Sequence, residues 1–158
     1  MSLAEKYKIV PLLTSANTGA GTDLDSINMK GAHKATIIFT NGATSGSAVL
    51  KIYSGATEGA KTSALPFRQA YGGAAIGSDS SDVLSAWANV VAASGLTLAS
   101  GTYSTKMQVF EIDASDMDIA NGENWLTGEI DSAGTSGITH AVAILEMRYK
   151  ENRAATVL

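Results

Sequence analysis

The stretch that most constrains the fold runs from Ala141 to Tyr149. Ala141, Ala143, Leu145, Met147 and Tyr149 fall on one side of an extended chain, with Val142, Ile144, Glu146 and Arg148 on the other. A period of two sustained over nine residues is a β-strand pattern, not a helical one. Apolar residues on both sides predict a long strand near the centre of a sheet.

The rest of the chain repeats that theme in shorter form. Lys34 to Thr40 holds Ile37, Ile38 and Phe39, which predicts a strand buried on both faces or near a sheet centre. Asn41-Gly42 marks a turn, although the Gly/Ser/Thr stretch to Ser47 favours a longer loop. Ala48, Leu50 and Ile52 then alternate with Val49, Lys51 and Tyr53, the expected hairpin partner of the preceding strand. Asp23 to Ile27 reads as a half-buried strand, Tyr103 to Ile112 as a further strand, and Asn124 to Ile130 as a short one. In 103–112 the apolar parity switches between Val109 and Phe110, as a bulge or two-sided burial would produce. Val83 to Ala93 fits helical spacing through Leu84, Trp87, Val90 and Val91, with Asp82 as a cap, and also fits alternation. In an otherwise β chain the strand reading is preferred. Residues 54–82 read as an insertion or long surface excursion, the kind of segment that tends to carry function.

At the start, Lys6 to Leu13 is β-type but contains Pro11, which has no N–H for a ladder. Residues 1–13 are therefore expected to be an edge strand or an extended arm. Short strands separated by Gly, Ser, Asn and Asp clusters predict an all-β, single-domain sandwich of eight to ten strands over residues 14–150, with 151–158 as a tail.

Composition narrows the function classes. Gly, Ala, Ser and Thr make up a little under half of the 158 residues, and charged residues are only 16%. Cysteine is absent, which excludes a disulfide framework and a thiolate metal site. No apolar run approaches the length of a membrane span, and the opening residues do not resemble a secretory signal. A net charge of −4, with no undiluted basic stretch, argues against nucleic acid as a partner.

Candidates for chemistry are few. His33 and His140 stand among many serines and aspartates, but no Gly-x-Ser-x-Gly elbow supports a hydrolase triad, and no enzyme activity is expected. Asp116, Asp118, Asn121 and Glu123 form the densest oxygen-rich stretch and are weak candidates for an irregular metal site. They lack EF-hand spacing, and the plainer expectation is a polar connection between strands. No cofactor is expected, since Gly19-Ala20-Gly21 lacks the third glycine of a dinucleotide loop. Trp87, Trp125 and Tyr71 are either core aromatics or a glycan-stacking platform.

The opening Glu5-Lys6-Tyr7-Lys8-Ile9-Val10-Pro11, the small-residue β-strands and the closing Ala141 to Tyr149 with its short tail resemble the head decoration, or cement, proteins of tailed bacteriophages. That resemblance implies a jelly-roll sandwich with an extended N-terminal arm. It implies a structural virion protein on the capsid exterior, bound to the major capsid protein at joints between subunits. It further implies a homo-oligomer, a trimer rather than a dimer. Tyr7, Ile9, Val10 and Leu12 in the arm, with Phe67 and Tyr71 in the excursion, are the expected contact residues. The alternative expectation is a glycan- or host-surface-binding module of a phage appendage.

Overall fold

In a computed structural model, residues 7–17, 19, 21–131 and 137–148 are described. The chain forms twelve strands there: β1 (Lys8–Asn17), β2 (Thr22–Asp23), β3 (Ile27–Asn28), β4 (Ala32–Asn41), β5 (Ser47–Gly55), β6 (Ser63–Leu65), β7 (Phe67–Tyr71), β8 (Ala88–Val90), β9 (Leu96–Ala99), β10 (Met107–Asp113), β11 (Trp125–Ile130) and β12 (Ile138–Met147). One sheet has the order β1-β12-β4-β10-β7-β8. The other runs β2-β11-β5-β6, with β3 also on β11 and β9 also on β5. All pairings are antiparallel.

This is a jelly-roll sandwich. β1, β12, β4 and β10 make one four-stranded half. The β2/β3 segment, β11, β5 and β6 make the other, and the chain passes from sheet to sheet at most connections. β7 and β8 extend the first sheet beyond β10.

The two-sheet wrap corrects the expected β4–β5 hairpin. β4 pairs with β10 and β12, whereas β5 pairs with β11, β6 and β9. The 42–46 connection is an arch that bridges the roughly 10 Å between facing sheets, which a two-residue turn could not do. Asn41, buried at the end of β4, accepts a hydrogen bond from Thr139 Oγ1 at 3.2 Å and so ties the arch to the start of β12.

Three other expectations are refined. Residues 54–82 are not one excursion, because β6 and β7 within them belong to opposite sheets. Leu65 and Phe67 are both buried, and the exposed Pro66 between them marks the crossing. Asp23 to Ile27 is split into β2 and β3, which both lie along β11. Tyr103 belongs to a helical turn (Ser100–Tyr103), and β10 starts at Met107. Within β10, Gln108, Val109 and Phe110 are all buried while the register with β4 and β7 runs unbroken. The parity switch there reflects burial on both faces, not a bulge.

In Val83–Ala93 only Ala88–Val90 forms a strand, and no helix is present. Residues 8–13 are an edge strand on β12 rather than a free arm. The ladder is shifted beside Leu12, whose carbonyl accepts from the Asp25 N–H at 2.9 Å. Residues 1–6, Tyr149 and the expected tail at 151–158 lie outside the described residues.

Between the sheets, Phe110 packs with Phe39 and Phe67, each at a ring-centroid distance of 5.7 Å. Ala35, Ala141 and Ala143 face the same interior and leave room for these rings. On the opposite sheet, Gly128 makes similar room: a Cβ there would come within 2.6 Å of Leu24 Cδ1.

Candidate interaction surface

Strand alternation defines what the first sheet shows to the outside. With Ala35, Ile37 and Phe39 turned inward on β4, and Ala141, Ala143 and Leu145 inward on β12, the intervening residues face out. The register then places one outward row across five strands: Pro11 beside Val142, Val142 beside Ile38, Ile38 beside Val109, and Val109 beside Ala70. This row carries no charge. The next outward row contains Ile9, Ile144, Thr36, Glu111 and Arg68. Ile9 is 42% exposed and Ile38, Val142 and Ile144 are half-buried among their neighbours, whereas Val109 and Ala70 are buried, so the open part of the row spans β1, β12 and β4. On β12 Ala141, Ala143 and Leu145 point into the core, and the β-branched Val142 and Ile144 point out.

The charges on this face lie toward one end of its strands, from the exposed Glu146 on β12 to Arg68 on β7. Arg68 Nε donates to Glu111 Oε2 at 2.6 Å, and Lys34 Nζ lies 3.6 Å from the same oxygen. Arg68 also lies over the Trp87 ring at 4.9 Å. Beside them, an open cleft of about 420 Å³ is lined by Lys34, Arg68, Asn89, Glu111, Asp113 and Asp116, among others. Asp113 accepts from the Ser115 N–H and hydroxyl, and these bonds hold its carboxyl below the usual aspartate range.

Between β7 and β9 the chain makes the excursion that the sequence placed earlier. Its base is tied down by backbone bonds from Gly72 to Met107, Gly73 to Val83, Ile76 to Thr105 and Ser85 to Tyr71. A Cβ at Gly72 would approach Ser81 O to 2.6 Å, so only glycine lets the loop fold back this closely. Six large apolar side chains are strongly exposed among the described residues. Five of them, Ile76, Val83, Leu84, Trp87 and Val91, lie in this excursion; Ile9 is the sixth. Its only charged residues between 72 and 95 are Asp79 and Asp82.

The expected contact residues do not form one cluster. Tyr7, Ile9, Val10 and Leu12 lie at the β1 edge, and Phe67 and Tyr71 lie on β7, with three strands between them. Leu12 and Phe67 are buried in the chain's own core, and Val10 packs against it. Tyr71 stacks edge-on with Tyr103 at 5.2 Å and lies under Lys106 at 5.3 Å. Ile9 alone of the six is exposed. The outward Ile38, Val142 and Ile144, half-buried on this face, were not among the expected contacts, although the two-sided apolar pattern of their strands put apolar residues on both faces.

The weak metal candidates are likewise separated in role. Glu123 is buried and accepts from Ser54 Oγ at 2.5 Å and Ser63 Oγ at 3.1 Å, which ties the entry of β11 to β5 and β6. Asp118 is exposed and accepts from Asn121 Nδ2, and Asp116 is at the cleft. Among the described residues no three of His, Asp and Glu are grouped to hold a metal ion. His33 and His140 are exposed, on β4 and β12.

On the second sheet, Asp23, Glu129 and Lys51 sit side by side facing out. Lys61 Nζ donates to Asp23 at 2.7 Å and to Glu129 at 2.8 Å. Partial burial works against the Lys61 charge, but these two bonds outweigh it and raise its pKa.

No protein-family model matches this chain, and no curated protein matches it.

Proposed function

We propose that this chain is a structural virion protein that binds the outside of an assembled phage capsid and stabilises joints between capsid subunits. The observation that carries the reading is the excursion after β7. It is anchored at its base, nearly free of charge, and exposes Ile76, Val83, Leu84, Trp87 and Val91. An apolar surface depleted in charge is the composition of an interface core. The jelly roll agrees with the fold that the resemblance implies.

The mechanism is linkage. A protein that binds only the mature shell stabilises that shell by mass action. Copies bound at several points release slowly, because each remaining contact keeps the others at high effective concentration.

The test is co-sedimentation of purified protein with assembled particles. Near-stoichiometric binding to the capsid subunit is expected, and Val91→Asp with Trp87→Ala should weaken it by more than about 10-fold, as loss of an interface anchor does. Absence from purified particles, or unchanged binding by that double variant, overturns the reading.

One observation favours the glycan alternative. Trp87 is 42% exposed and stands over Arg68 beside the charged cleft. A shift in tryptophan emission on adding host polysaccharide, lost in Trp87→Phe, would support it.

A further inference from the structure

We infer that the interior of the sandwich is a binding site for ordered water, held by Gln108 and Gln69 beneath the root of the excursion. The inference does not depend on the capsid reading.

The first observation is selectivity. Seven polar or charged residues are buried among the described residues. Five of them are paired through their side chains: Asn41 with Thr139, Glu123 with Ser54, and Thr127 with Ser26. The two exceptions are Gln69 and Gln108. Neither amide atom of Gln108 has a hydrogen-bond partner, and Gln69 Oε1 has none. A buried amide atom gives up solvent on folding and regains nothing unless a partner replaces it, so such atoms are rare and each calls for a cause. Three of them on two neighbouring residues, in a core whose other polar side chains are bonded, point to one shared cause.

The second observation is position. Gln108 is fully buried and shares the inward side of β10 with Phe110 and Ile112. It lies opposite Phe39 on β4 and Tyr71 on β7. Gln69 lies opposite Phe110, so the two glutamines sit diagonally across the β10–β7 ladder. Diagonal positions are about 7–8 Å apart at Cα, within reach of long side chains. A water with two bonds of about 2.8 Å bridges polar atoms up to about 5.6 Å apart. The other end of the Gln69 amide is already committed. It bonds the Tyr103 hydroxyl, and because Oε1 is unpaired the donor is Nε2. Phe39 and Phe110, on either side, offer no hydrogen-bonding side chain.

The third observation is chemistry, and it selects the ligand. Gln108 presents both a donor and an acceptor, and Gln69 presents a second acceptor. A cation would suit the oxygens and oppose the Gln108 amide hydrogens, and an anion would do the reverse. Water both donates and accepts. One molecule accepts from Gln108 Nε2 and donates to Gln69 Oε1, and Gln108 Oε1 is left to accept from a second. Buried waters serve otherwise unpaired polar groups in this way. The bridge couples β7 to β10 at their last register pair, Gln108 with Tyr71. Directly beyond it, the bonds from Gly72 to Met107 and from Ser85 to Tyr71 root the excursion.

The direct experiment is water-to-protein cross-relaxation on the isotope-labelled full chain. Cross-peaks from water to the Gln108 side-chain amide protons should appear, with opposite signs in the laboratory and rotating frames. That sign change separates bound water from proton exchange. The second measurement is thermal melting of Gln108→Met, which keeps the side-chain length and removes both amide atoms. With water bound, the change strands Gln69 Oε1, and the melting temperature should fall by about 3 °C or more. In a dry core the same change removes an uncompensated amide and raises it. Absence of the cross-peaks overturns the inference, and so does an unchanged or raised melting temperature. If Gln108→Met fails to fold, the cross-peaks of the unmodified protein decide alone. Neither measurement uses a particle, so capsid binding can fail while the water site stands, and the reverse.

Discussion

The second sheet turns Asp23, Glu129, Lys51 and Lys61 to the outside, whereas the first sheet shows an uncharged strip of Pro11, Val142 and Ile38 and keeps Lys34, Arg68 and Glu111 to one side of it. Both faces come from one chain, one fold and one low overall charge. Low charge content does not by itself account for that strip, because both sheets carry paired acids and bases elsewhere on their outer faces. The difference teaches that charge is placed by position within a face. The paired charges are suited to permanent contact with water, and the uncharged strip to being covered.

The sharpest way to break that comparison uses two neighbouring positions on β12. Ala143→Lys puts a charge into the core and should destabilise the fold by about 4 kcal/mol or more, by the cost of burying an unpaired charge. Val142→Lys, one residue away on the opposite face, should change monomer stability by less than about 1 kcal/mol. Urea titration of the two variants checks this, and equal losses would mean that the outer face is itself part of the core.

A second variant addresses the excursion. Gly72→Ala forces a Cβ against Ser81 O and should cost about 1–3 kcal/mol, the usual penalty of overpacking. Hydrogen exchange should show faster exchange of the Gly73 and Ser85 amides, with the β4–β12 ladder unaffected.

Asp113 offers a pH test at the corner of the apolar face. Its carboxyl is held below the usual range by the two bonds from Ser115, so it stabilises the charged form in the folded chain. That contribution is complete above the unfolded value of about pH 4 and is lost as pH falls through the lowered folded value. Asp113→Ala should cost about 1 kcal/mol at neutral pH, the typical value of a cap, and nothing in strong acid. Melting curves across that range provide the check.

The smallest effect is expected on the wet face. Lys61→Ala removes two exposed ion pairs and should cost about 0.5–1 kcal/mol at low salt and less at high salt. A salt-independent loss would mean that the lysine acts through packing of its stem.

Much of this architecture was legible in the residues. The alternation of 141–149 and the apolar 37–39 run gave long strands inside one sheet, and Pro11 marked an edge. What escaped was pairing between distant strands. Asn41-Gly42 carries a hairpin signal, and only the competition of β10 and β12 for β4 overrides it. Leu65-Pro66-Phe67 reads as a broken apolar run until two sheets claim its halves. The contact surface was legible as a pattern but not as a place. Outward and inward residues on 141–145 are equally apolar, and sequence alone cannot rank them. Phe67 looked available because it sits in a loop-rich stretch, yet the ring is held by Phe110.

The pairing of β4 has a further consequence during synthesis. One of its neighbours, β10, begins at Met107, and the other, β12, begins at Ile138. On a ribosome, the Ile37–Phe39 segment therefore emerges long before either neighbour and waits with both edges open. β1 waits as well, because β12 is its partner in the sheet. Each nascent chain passes through a stage in which apolar strand edges are exposed to other nascent chains, a stage prone to aggregation. For a protein made in many copies, the pace at which the last strand arrives then limits the yield of folded molecules.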